Sequence, residues 1–222
     1  ICSTLVTSVY LLVDTLIIGQ GVGALGISAL NIFMPFFLLF NGIGLLFGIG
    51  SGILISSEDG MGNKKKANQY FATGFVSILS IAIILGLIWN YLQPLCVILG
   101  ANSDTIDLVL EYGKCIMAFA PVFMMSNYFA PIVRNMKNPK LVMCAVLTGS
   151  VLNVILDYVF VFPMDMGMFG AAAATVIGSL TTLLVLSTHF IKKQNRVKIN
   201  KETISLKLVT PILKCGFSSL IM

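Results

Sequence analysis

A chain of 222 residues that is 57% hydrophobic and only 10% charged departs from soluble domains, in which about a quarter of the residues are charged. Its mean hydropathy of +0.97 is spread along the whole length, which excludes a soluble globule or a single anchor and implies repeated crossings of a lipid bilayer. The net charge of +5 does not point to nucleic acid, because the bases sit in three short loops and not in a patch interleaved with aromatics. No nucleic-acid partner and no organic cofactor are expected.

Ile1 already lies in an apolar run, so the sequence is expected to begin upstream, and a signal peptide cannot be read from it. A hydrocarbon core about 30 Å thick takes roughly 20 apolar residues per helix. On that measure the chain predicts an all-α, polytopic membrane bundle with spans over 1–19, 28–56, 70–92, 109–131, 140–162 and 169–190, and a seventh starting near 209. Span two repeats Gly44, Gly48 and Gly52 on one face, an invitation to close helix approach. The string Gly48-Ile49-Gly50 is not a nucleotide loop, since no strand precedes it. Pro35, Pro121 and Pro131 lie within or at the end of spans, where bundle interiors tolerate kinks. Cys2, Cys96, Cys115, Cys144 and Cys215 share no Cys-x-x-Cys spacing and mostly fall in apolar stretches, so small buried thiols are expected.

The loops set an orientation. Lys64, Lys65 and Lys66 follow span two; Arg134, Lys137 and Lys140 follow span four; Lys192, Lys193, Arg196, Lys198, Lys201 and Lys207 follow span six. Only Lys114 and Lys214 lie elsewhere, while the alternate loops carry Asp104, Asp107, Glu111 and Asp165. Positive charge stays inside, so the loops after spans two, four and six are expected to be cytoplasmic and span one to run outward.

Among 14 basic and 9 acidic residues, only Asp14 and Asp157 fall well inside a span. A carboxylate at the bilayer centre costs roughly 2.5–3.5 kcal/mol on insertion scales and marks function by default. The structural alternative is a carboxyl at the interface or one held in a helix–helix hydrogen bond. Depth argues against it: each aspartate precedes the outer end of an outward-running span by about five residues, or about 8 Å at 1.5 Å per residue. Asn153 lies one turn before Asp157 on the same helix face, and Thr175 returns to the same depth on span six. Two carboxylates, an amide oxygen and a hydroxyl form the all-oxygen set that hard cations prefer. A sodium ion fits, and so does a proton shared by the two carboxyls. Spacing does not choose between them.

At these residues the chain resembles the multidrug and toxic compound extrusion (MATE) family. Val13-Asp14-Thr15-Leu16-Ile17-Ile18-Gly19 is similar to the Asp-Thr-x-x-x-Gly element of its first helix. Gly60-Met61-Gly62-Asn63 looks like its Gly-x-Gly turn, Arg134-Asn135-Met136-Lys137-Asn138-Pro139-Lys140 like its fourth loop, Gly149 to Phe162 like its fifth helix, and Gly167 to Thr175 like the start of its sixth. The resemblance implies a cation-coupled antiporter in the cell membrane that exports varied amphipathic or cationic compounds by alternating access between two six-helix lobes. It implies a coupling-cation site, sodium or proton, at Asp14, Asn153, Asp157 and Thr175, with a backbone carbonyl near Ala171. Residues 1–190 would then be the N-terminal lobe, 191–208 a basic cytoplasmic interlobe loop and 209–222 the start of helix seven, with a second lobe outside this sequence as the missing partner. The plentiful Met and Phe suit a permissive pocket, although most serve as core or face lipid.

Three other readings compete. A lipid-linked oligosaccharide flippase of the same superfamily would need a more basic cavity. An intramembrane aspartyl protease could use two level carboxyls, but neither aspartate stands in a Gly-x-Gly-Asp element. A truncated half-transporter without activity of its own fits the same residues.

Overall fold

The computed structural model describes residues 2–191 and 204–221, and every regular element among them is helical. In chain order these are α1 (Cys2–Gly21), α2 (Ala24–Gly60), α3 (Lys64–Leu87), α4 (Leu92–Ile98), α5 (Ile106–Ala118), α6 (Ala120–Asn135), α7 (Pro139–Val161), α8 (Gly167–Ile191) and α9 (Val209–Ile221). Helices α2, α3, α7 and α8 are long and apolar enough to cross a membrane, and α5 with α6 makes a further span bent by 55°. The 20 residues of α1 reach about 30 Å at 1.5 Å per residue, the thickness of the hydrocarbon core. The basic loop expected at 191–208 falls largely on 192–203, so Lys192, Lys193, Arg196, Lys198 and Lys201 lie outside the described residues.

Spans one, two, five and six coincide with α1, α2, α7 and α8. Span four differs: the helix predicted over 109–131 is broken at Phe119. Pro121 enters in the first turn of α6, where it has no N–H to give to Met117 and its ring crowds that residue's carbonyl, so the ladder cannot continue. Span three begins earlier than expected, at Lys64, because the three lysines form its solvated first turn. Its far end unwinds at Leu87 into a 3-10 turn, Ile88–Tyr91, before α4. The thiols also depart from expectation: Cys96 is buried, but Cys115 and Cys215 are half-buried and Cys144 is exposed on α7, since a lipid-facing surface is as apolar as a core.

The α2–α3 turn is closed by charge. Glu58 is buried, meets the Lys66 ammonium at 2.8 Å and accepts from Asn63 Nδ2 at 3.1 Å; Gly62 supplies the left-handed residue at φ 80°. At the same basic end Asn138 caps α7 by accepting from the Leu141 amide, with Pro139 pre-set in the first turn. Inside the lobe, α2 lies along α6 and α7 along α8. Gly44, Gly48 and Gly52 share one face, as their spacing predicted, and the helix that this face meets is α6: a Cβ on Gly48 would fall 2.7 Å from the Asn127 carbonyl oxygen and 2.8 Å from that of Tyr128. Toward the basic end this seam closes on an aromatic cluster that includes Phe71, Tyr128, Phe129 and Phe190, and the Tyr128 hydroxyl donates to the Phe71 carbonyl at 2.9 Å.

Candidate functional site

Four helices meet around the two intramembrane acids. Helix α1 supplies Asp14 and Tyr10, α7 supplies Asn153 and Asp157, α8 supplies Thr175 and the Ala171 carbonyl, and α5 supplies Tyr112. Each pair on one helix lies four residues apart, and so stacks on one face. Asp157 is 0% exposed and Asp14 5%; Asn153 and Thr175 are buried with them. The carboxyl groups of Asp14 and Asp157 are close enough to interact electrostatically. As carboxylates neither can donate.

The neutral members order the rest. Asn153 Nδ2 donates to Thr175 Oγ1 at 3.4 Å, and the Thr175 hydroxyl donates to the Ala171 carbonyl one turn back at 3.0 Å. The Ala171 oxygen also accepts the Thr175 amide in the α8 ladder, so both of its lone pairs are engaged. Asp14 Oδ1, both carboxyl oxygens of Asp157 and Asn153 Oδ1 are buried and find no hydrogen-bond partner among the described residues. An unpaired buried acceptor costs about 1–3 kcal/mol, more when charged, and two adjacent anions repel strongly where the dielectric is low. Among the described residues no basic one lines the small cavity beside Asp14. The arrangement therefore calls for a positive counter-charge: a cation among the oxygens, or a proton held between the carboxyls. The cavity of about 20 Å³, which Asp14 and Thr175 line without Asn153 or Asp157, has room for one water-sized guest; two carboxylates, an amide and a hydroxyl gathered beside it are ligand types that suit a hard cation. The residues present fit sodium and proton alike.

All five residues expected at the site, Asp14, Asn153, Asp157, Thr175 and Ala171, come together. Two members were not anticipated. Tyr112 and Tyr10 line the small cavity together with Asp14 and Thr175. Tyr10 was legible in principle, four residues before Asp14 on the same face. Tyr112 was not, because the bend at Phe119 decides where α5 points. Tyr10, Phe37 and Thr175 also form a wall shared with a larger cavity of about 150 Å³ whose lining is rich in uncharged amides and hydroxyls, among them Asn41, Asn127 and Ser179.

Unpaired acidic oxygens buried in a bundle of apolar helices beside a polar cleft define a polytopic helical membrane protein with an intramembrane polar site. Residues 1–159 match the family model MatE, and the chain belongs to that family. It is 31% identical over 210 residues to "Multidrug export protein MepA" of Staphylococcus saprophyticus, covering 88% of this chain and 44% of that protein. It is 29% identical over 228 residues to the protein of the same name from Staphylococcus aureus strain MSSA476, covering 99% and 49%. Among solved structures, an inward-facing multidrug resistance MATE family transporter of the MOP superfamily superimposes with a TM-score of 0.87 at 25% identity over 95% of this chain and 48% of that one. The chain thus spans about half the length of these relatives, as one lobe of a larger transporter does.

Proposed function

We propose that this chain is the N-terminal lobe of a cation-coupled antiporter that exports amphipathic or cationic organic compounds. The observation that carries the reading is the set of four partnerless oxygens on Asp14, Asn153 and Asp157, deep in apolar helices. A cation or proton entering that set and a compound leaving the transporter would be coupled because each biases the same two-state equilibrium between lobe arrangements. The bases at the Lys64–Lys66 and Arg134–Lys140 turns support placing that end in the cytoplasm. Substrate would be held between this lobe and the second, and the chain alone would not pump.

The test is gradient-driven ethidium efflux from vesicles carrying the full-length protein, with sodium and proton gradients imposed separately. Asp157→Asn and Asp14→Asn each remove one charge at nearly constant volume. Both should reach the membrane at parental abundance and lose coupled export by more than about tenfold, since removing one member of a buried charged set costs on the order of 3–5 kcal/mol. Parental rates for both variants under either gradient would make these aspartates structural and move coupling to the other lobe.

A further inference from the structure

The two helices that carry Asn153 and Thr175 approach more closely than side chains allow, and the place where they do so lies one turn from the oxygen cluster. Gly149 precedes Asn153 by four residues on α7; Gly178 follows Thr175 by three on α8. A Cβ on Gly178 would sit 2.8 Å from Asn153 Cβ and 2.8 Å from the Gly149 carbonyl oxygen, and one on Gly149 would sit 2.6 Å from the Gly178 carbonyl oxygen and collide with the Thr182 hydroxyl. That hydroxyl reaches across the same crossing to the Ala145 carbonyl at 3.3 Å. The obstacles facing Gly178 are a backbone oxygen and the first carbon of Asn153, not the flexible end of a long side chain. Neither can swing away without moving α7.

We infer that Gly178, with Gly149, is a positioning residue for the oxygen site: its missing side chain sets the α7–α8 separation that holds Asn153 against Thr175. The inference rests on the cation-site reading above. Asn153 Nδ2 and Thr175 Oγ1 are 3.4 Å apart, already at the long edge of a hydrogen bond. A methyl on Gly178 must push α7 back by roughly 0.7 Å or more to reach ordinary van der Waals contact. The push acts directly on the Cβ of Asn153, so the amide withdraws from the hydroxyl and its partnerless Oδ1 leaves the set that faces Asp157. Gly178 touches no guest itself. It acts as the groups behind the ligands of metal sites do, whose loss weakens ion affinity by about 10–100-fold.

The experiment uses the full-length transporter, whichever gradient drives the parental protein, and reads the concentration of that ion needed for half-maximal ethidium efflux, with sodium binding to the purified protein followed by titration calorimetry. For Gly178→Ala the half-saturating ion concentration should rise at least tenfold, with maximal efflux at saturating ion near the parental rate. Gly48→Ala, which crowds the α2–α6 seam and not the site, should lower abundance and leave the half-saturating concentration unchanged. If Gly178→Ala fails to reach the membrane, Gly149→Ala in a Thr182→Ala background, which gives the new methyl the space of the lost hydroxyl, should show the same rise. An unchanged ion dependence in the variant that folds, beside an Asp157→Asn variant that abolishes coupling, overturns the positioning role alone. An Asp157→Asn variant with unchanged coupling overturns the cation-site reading beneath it.

Discussion

The α2–α6 seam and the α7–α8 seam use the same packing device and balance their polar groups in opposite ways. In both, glycines let backbones meet: Gly44 and Gly48 against Met124–Tyr128, Gly149 against Gly178. At α2–α6 the polar groups so enclosed find partners. Asn127 Nδ2 donates to Asn41 Oδ1 at 2.7 Å, and Tyr128 donates to the Phe71 carbonyl; the oxygen left over there is the neutral Ser51 hydroxyl. At α7–α8 the neighbouring oxygens are acidic and stay unpaired. Close packing in a membrane is a means of association. Close packing around unpaired acceptors is destabilising and is kept for what it binds.

If that contrast is sound, the two seams should respond to substitution with opposite signs. The largest effect is expected at the aspartates together. The Asp14→Asn/Asp157→Asn double variant should lose coupled export hardly more than either single one, because residues that act as a unit are not additive. In a cation-free melting experiment Asp157→Asn should melt higher than the parent, since its amide can donate to Asp14 and relieve an unpaired acceptor worth about 1–3 kcal/mol; a lower Tm would show that the acids stabilise the fold. Next comes Gly48→Ala, whose methyl meets backbone at 2.7 and 2.8 Å. It should lower stability by about 1–3 kcal/mol, as overpacking does, while the molecules that fold keep the parental ion dependence. A change of ion dependence here would erase the distinction between the seams.

Smaller effects sharpen the same contrast. Asn153→Ala and Thr175→Val each remove a neutral ligand, so ion activation of efflux should weaken by about 10–100-fold without being abolished. Complete loss in either would mean that the neutral oxygens carry the site. The smallest change is expected for Asn127→Ala, which removes the 2.7 Å bond to Asn41. Interhelical hydrogen bonds in membranes average about 0.6 kcal/mol, so a small drop in Tm with unaltered ion dependence should result. A shift in ion activation would instead tie the cleft between the seams to the coupling ion.

The sequence by itself determined the class of the molecule. Composition demanded a bilayer, and runs of about 20 apolar residues marked α1, α2, α7 and α8 because a membrane leaves the backbone few alternatives to a helix. It also singled out Asp14 and Asp157, for charge in an apolar span is rare enough to be noticed one residue at a time, and the three-to-four-residue periodicity linked Asn153 to Asp157. What lay beyond it involved contacts between helices. The break at Phe119 was not legible, since Pro35 and Pro131 sit inside continuous helices and a proline in the sequence does not say whether neighbours will stabilise a bend. Without that bend Tyr112 could not be placed at Thr175. Nor could glycine spacing reveal that Gly178 faces Asn153 while Gly48 faces Asn127, because a helix pattern fixes which residues share a face but not which helix that face will meet. The tertiary structure decided those pairings, through the close approaches that only a particular set of neighbouring backbones permits.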